Sequence, residues 1–106
     1  MHTNDTQLSE ILKRLEKEFH PDRIYLFGSR ARGQASSESD YDLLLVIKDS
    51  PLSKIERMQK AQEALWGIWG SADIVVFTQA EFDQLKEEPS SLVSTVLREG
   101  QLLNAA

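Results

Sequence analysis

The chain has 106 residues, 12 of them basic and 17 acidic, for a net charge of −5, with 41% hydrophobic residues and no cysteine. That length suits one domain, residues 1–106, around a single core, with no room for a second, substrate-binding domain, and the apolar content excludes an intrinsically disordered chain. The acidic balance argues against general nucleic-acid binding, and the lack of cysteine removes disulfides and thiolate metal sites and suits a reducing cytoplasm.

The polar start, Met1-His2-Thr3-Asn4-Asp5, lacks the basic-then-apolar pattern of a secretory signal. Leu8, Ile11, Leu12, Leu15 and Phe19 recur at helical spacing and predict an amphipathic helix over residues 6 to 19, stopped ahead of Pro21. Arg23 to Phe27 reads as a first strand, and Gly28 to Ser39, small and polar, as a loop with room for one short helical turn. Asp40 to Lys48 reads as a second strand. Its apolar run, Leu43 to Ile47, implies burial on both faces and is far too short to span a bilayer.

After the turn Asp49-Ser50-Pro51, Ser53 with Glu56 forms a capping box for a helix to about Trp69, with Ile55, Met58, Ala61, Leu65 and Ile68 as its core stripe and Gly70 as its C-cap. Ala72 to Phe77 is a third strand. Thr78 and Glu81 cap a short helix carrying Phe82 and Leu85. Pro89 opens a last helix through Leu92, Val93, Val96 and Leu97, closed by Gly100, and Gln101 to Leu103 fits an edge strand.

The residues that carry chemistry fall at strand ends. Asp40 and Asp42 alternate with Tyr41, so both carboxylates point to one face of their strand and repel each other unless a cation lies between them. Hard divalent ions suit that place, and Mg²⁺ takes one or two carboxylates together with substrate phosphates and water. Asp73 heads the third strand as Asp42 heads the second and is the candidate third acid. Gly28 at the end of the first strand permits close backbone approach, Ser29 offers a hydroxyl and an amide to phosphate, and Arg30 and Arg32 supply forked donors for further negative charge. For all of these to line one site, the first and second strands must run antiparallel and the second and third parallel, with the Ser53 helix as the crossover.

Gly28-Ser29-Arg30-Ala31-Arg32-Gly33, Ser39-Asp40-Tyr41-Asp42-Leu43 and Ala72-Asp73-Ile74-Val75 together resemble the DNA polymerase β nucleotidyltransferase superfamily, in its minimal nucleotidyltransferase (MNT) branch. The resemblance spans roughly residues 6 to 103. It implies an α/β (α+β) fold with a small mixed sheet flanked by helices, two Mg²⁺ ions on Asp40, Asp42 and Asp73, and a triphosphate held by Gly28 and Ser29. Asp73 would also act as base. It further implies an enzyme that moves AMP from ATP to a hydroxyl. Proteins of this branch pair with a helical HEPN-domain ribonuclease in toxin–antitoxin systems, which makes a tyrosine of that partner the expected acceptor and a hetero-oligomer the expected assembly; a homodimer is compatible. Two other readings stand beside it: an antitoxin that acts by contact alone, and a subunit of an enzyme modifying small molecules such as aminoglycosides.

Plainer readings compete at several positions. Arg30 or Arg32 could be an exposed arginine paired with Glu38 or Asp22. His2 and His20 have no partner at metal-ligand spacing and read as solvated. Trp66 and Trp69 suit a core or a subunit interface better than a base-stacking platform, and Glu81, Asp83, Glu87 and Glu88 read as a wet face.

Overall fold

The structure is a computed structural model describing residues 6–28, 41–68 and 72–105. It runs α1 (Thr6–Phe19), β1 (Arg23–Phe27), β2 (Tyr41–Ile47), α2 (Lys54–Ala64), β3 (Ala72–Thr78), α3 (Gln79–Leu85), α4 (Leu92–Glu99) and β4 (Gln101–Ala105). The strands form one sheet in the order β3-β2-β1-β4. β1 is antiparallel to both β2 and β4, and β2 is parallel to β3, as the placement of the acids requires.

Alternation along the strands sorts the core into two layers. Ile24, Leu26, Tyr41, Leu43, Leu45, Ile74 and Val76 face α1 and α2 together with Leu8, Ile11, Leu15 and Ala61. Tyr25, Leu44, Val46 and Phe77 face the other way, against Phe82 of α3 and Val93 and Val96 of α4. The central strand β2 is therefore buried on both sides, as its unbroken apolar run implies. α1 stops where expected: the His20 amide donates back to the Glu16 carbonyl at 2.9 Å, and His20 turns the chain with a φ of 49° ahead of Pro21. Both expected capping boxes form, Ser53 with Glu56 on α2 and Thr78 with Glu81 on α3.

Three expectations are corrected. α2 ends at Ala64 rather than near Trp69, and the chain leaves it through a turn in which Gly67 takes a φ of 88°; Trp69 and Gly70 lie outside the described residues. α4 opens at Leu92 under a Ser91 cap rather than at Pro89, because the Ser91 hydroxyl both accepts from the Ser94 amide and donates to the Leu85 carbonyl. The core stripe of α2 is rotated: Ile55 is 68% and Met58 42% exposed, while Arg57 and Ala61 are buried. The Arg57 guanidinium sets that rotation. It donates to the Leu52 and Val76 carbonyls and pairs with both Glu81 oxygens, and residue 55 then falls about 200° away around the helix. Among the described residues no helix is long and apolar enough to cross a membrane.

Candidate active site

Three of the expected residues converge on one end of the sheet. Gly28 follows β1 directly, with a φ of 77°. Phe27, its neighbour, is the cross-strand partner of Asp42, so the first turn after β1 lies beside the first residues of β2. The contact is close: a Cβ added to Gly28 would lie 3.1 Å from Asp42 Cγ and closer still to its Oδ2. Two constraints therefore select glycine at this position, the left-handed backbone and the carboxylate packed against it.

Asp42 is also the register partner of Asp73 across the parallel β2–β3 pair. Residues in register on neighbouring strands point to the same face about 4.8 Å apart along the hydrogen-bonding direction. This face is the one that carries Leu44 and Phe77 farther along the same strands, beneath α3 and α4. Asp73 is exposed, whereas Ala72 and Ile74 on either side of it are buried in the opposite layer. The carboxylates thus form a short acidic step at the open end of the sheet, supported from behind by the α1–α2 layer. Two carboxylate groups set side by side are hard oxygen donors of the kind that could hold a divalent cation, and the donor set fits Mg²⁺.

Side chains that the sequence reading did not single out hold this end in place. Gln62 of α2 donates to the carbonyl of Ala72, immediately before Asp73, at 2.9 Å. Arg14 of α1 donates to the Ala64 and Trp66 carbonyls at 3.3 and 2.8 Å, which caps the C-terminal end of α2 where the chain turns toward β3. At the far end of β3, Arg57 and Glu81 form a buried-to-surface pair at 2.8 Å. That pair, with the Thr78 amide also donating to Glu81, holds the Glu81 carboxyl down at about 2. Spacing could not have found Arg14, Arg57 or Gln62 in these roles, because a polar side chain on an amphipathic helix ordinarily faces water, and it marked Glu81 only as the cap partner of Thr78.

Tyr41 turns to the opposite face and is buried among the α1–α2 layer, as strand alternation requires. Ser29, Arg30, Arg32, Glu38 and Asp40 lie outside the described residues, as do His2 and Trp69. Trp66 is 85% exposed and so belongs to no core. The acidic stretch divides in two: Glu81 is a structural partner of Arg57, and Asp83 lies on the surface between Gln79 and Lys86, whose hydrogen bonds lower its carboxyl below the usual range.

Comparison with known proteins points in one direction. The family model described as "Polymerase beta, Nucleotidyltransferase" matches residues 9–105. A curated protein of Methanocaldococcus jannaschii, named as a candidate protein adenylyltransferase, is 39% identical over 54 residues, covering 45% of this chain and 54% of that protein. The chain therefore spans about half the length of that relative. Protein adenylyltransferase MntA of Thermococcus cleftensis is 33% identical over 88 residues, covering 82% of this chain and 79% of that protein.

Among solved structures, a candidate nucleotidyltransferase from Sulfolobus solfataricus aligns over 92% of this chain and 76% of its own, with 27% identity and a TM-score of 0.63. Two toxin–antitoxin structures share the fold. The one described as MntA–HepT covers 97% of this chain and 74% of its own at 21% identity and a TM-score of 0.58. The one described as a complex with AMP-PNP covers 98% and 75% at 22% identity and a TM-score of 0.60.

Proposed function

Because the chain belongs to the polymerase β nucleotidyltransferase family, we propose that it transfers AMP from ATP to a hydroxyl group, acting as an antitoxin that adenylylates a tyrosine of a partner HEPN-domain ribonuclease. The observation that carries this reading is the register match of Asp42 with Asp73 beside the positive-φ Gly28, which gathers an acidic pair and a phosphate-approachable turn at one strand end. Support for the protein acceptor comes from the relatives named protein adenylyltransferases and from the like-folded toxin–antitoxin complexes, one of which contains AMP-PNP.

In this reading Gly28 lets the β- and γ-phosphates approach the backbone, and Ser29 donates to them from its hydroxyl and amide. Arg30 and Arg32 add forked donors to the same group. When bound, two Mg²⁺ ions held by Asp40, Asp42 and Asp73 would polarise the α-phosphoryl group and offset the charge of the departing pyrophosphate. Asp73, the exposed member of the pair, accepts the proton of the attacking hydroxyl as its oxygen bonds to the α-phosphorus and the bond to the bridging oxygen breaks. Asp42, pressed against Gly28, keeps the turn and the acidic step in one fixed relation, so that the contribution of the chain is positioning and electrostatics.

The test is to incubate the chain with α-labelled ATP, Mg²⁺ and a HEPN-domain protein from the same organism. Label should appear on a tyrosine of that protein and vanish with Asp42→Asn. An unlabelled partner that is nevertheless neutralised by both wild type and Asp42→Asn would establish the contact-only antitoxin instead. Label on an aminoglycoside without any protein partner would establish the small-molecule enzyme.

A further inference from the structure

β3 is an end strand, paired on one side only, with β2. That ladder opens with Tyr41 opposite Ala72 and continues with Asp42 opposite Asp73, so the two carboxylates sit at its very start. Like charges directly across a strand pair push the strands apart, and a strand end has few bonds to resist the push. The first residues of β3 therefore need an anchor that does not come from β2.

Gln62 of α2 supplies one. Its side-chain amide donates to the Ala72 carbonyl at 2.9 Å, in a partly buried bond. The orientation of that amide is fixed by chemistry, since a carbonyl oxygen accepts and only the NH₂ end of glutamine donates. The carbonyl belongs to the peptide unit that contains the backbone nitrogen of Asp73, and a peptide unit is planar. Holding its oxygen fixes the plane from which Asp73 departs. The anchor is itself held: Gln62 lies in the last turn of α2, where its carbonyl accepts from the Leu65 amide at 3.1 Å. Just beyond it, Arg14 of α1 donates to the Ala64 and Trp66 carbonyls and pairs with Glu10. At the far end of β3 the same helix repeats the device, with Arg57 donating to the Val76 carbonyl at 2.8 Å.

We propose that Gln62 is a positioning residue for the acidic step: through the Ala72–Asp73 peptide it holds the Asp73 carboxylate beside Asp42, so that the two share one divalent cation. α2 packs on the face of Ile74 and Val76, whereas Asp73 lies on the face of Leu44 and Phe77. The glutamine thus acts through the backbone and is no ligand. This inference rests on the reading that Asp42 and Asp73 hold Mg²⁺, and adds to it a residue from a helix outside the motifs.

The experiment measures binding of Mn²⁺, which shares the preference of Mg²⁺ for oxygen ligands, to the full chain by loss of the free-ion paramagnetic resonance signal, with Mg²⁺ as competitor. Wild type is compared with Gln62→Met, Gln62→Glu, Gln59→Glu and Val93→Ala, each checked for folding by circular dichroism. Gln62→Met keeps the side chain's length and removes the donor, so affinity should fall about three- to tenfold, the worth of one intramolecular hydrogen bond. Gln62→Glu decides by sign. Added negative charge alone attracts the cation, as Gln59→Glu on the preceding turn should show, whereas a carboxylate facing the Ala72 carbonyl cannot donate. The positioning role therefore predicts that Gln62→Glu binds at least as weakly as Gln62→Met. Val93→Ala, buried in the other layer, loosens the fold without touching this anchor and should leave affinity within about twofold.

In AMP transfer at saturating Mg²⁺, Gln62→Met should lower kcat about tenfold or more and leave KM for ATP within about threefold, because the Gly28 turn is held through β1 and β2. Equal Mn²⁺ affinity in wild type and Gln62→Met overturns the proposal. So does a Gln62→Glu variant that binds more tightly than wild type, a Val93→Ala variant weakened as much as Gln62→Met, or a wild type that binds no divalent ion. Metal binding needs no acceptor. A wild type that labels no HEPN-domain protein, yet loses Mn²⁺ affinity on Gln62→Met, keeps this inference and overturns only the acceptor reading.

Discussion

Gly28 and Asp42 restrict each other more than either restricts the rest of the chain. Alanine at position 28 would need a left-handed backbone, at a cost of about 1–2 kcal/mol, and would press its Cβ on the Asp42 carboxylate. Gly28→Ala should therefore lower unfolding stability in urea by about 1–3 kcal/mol and reduce AMP transfer by at least about a hundredfold, since the carboxylate that yields is one of the proposed site residues. Asp73→Asn separates the two effects. This exposed carboxylate supports no packing, so its removal should leave stability within about 0.5 kcal/mol of wild type while transfer falls about 10²–10⁴-fold. Both comparisons need only a denaturation curve and a label-transfer rate. The placement of Gly28, Asp42 and Asp73 at one end of the sheet was legible in the sequence because each sits where an apolar strand meets a polar turn, a position that residue type alone marks.

Segments were as readable as their periodicity was strong. The limits of α1 and β1 follow from a clean apolar stripe and from Pro21, and the parallel β2–β3 pairing follows from a helix of crossover length between them. α2 misled because its pattern offers two plausible inward faces. The buried one is fixed by a guanidinium rather than by Ile55 and Met58. Substituting serine for Ile55 or Met58 should accordingly change stability by no more than about 0.5 kcal/mol, whereas Leu15→Ala, in the fully buried layer, should cost about 2–5 kcal/mol.

Arg57→Ala should cost about 2–4 kcal/mol, because it removes four hydrogen bonds around a buried position. The same pair leaves a pH signature. Glu81 titrates near 2 when folded against 4.5 for the free group, a depressed carboxyl. The stability it contributes is complete above about pH 4.5 and is lost as pH falls toward 2. Denaturation midpoints measured from pH 6 down to 2 should fall less steeply in Glu81→Gln than in wild type, with the partial exposure of the carboxylate limiting the difference.

The two ends of the sheet are built differently. Helices α3 and α4 close the face over Phe77 and Phe82, with Arg57 and Glu81 joining α2 to α3, while the opposite end of the same strands brings Asp42 and Asp73 side by side. Like charges in register destabilise a pair of strands, and nothing in local sequence propensity reports that cost, since it exists only once β2 and β3 are aligned. The folded state should then bind Mg²⁺ while the unfolded chain, in which the two acids separate, should not, so that Mg²⁺ stabilises the fold by mass action. Thermal unfolding of wild type should shift upward with Mg²⁺ concentration, by about 4–8 °C for each kcal/mol gained in a domain of this size, and should return to its starting value on chelation. Asp73→Asn should melt higher than wild type without Mg²⁺, because the repulsion is gone, and should lose most of the increment when Mg²⁺ is added. An Asp73→Asn variant that melts lower than wild type in the absence of metal, or that keeps the full Mg²⁺ increment, would mean that the two carboxylates do not share a cation, and the proposed site would have to be rebuilt around other ligands.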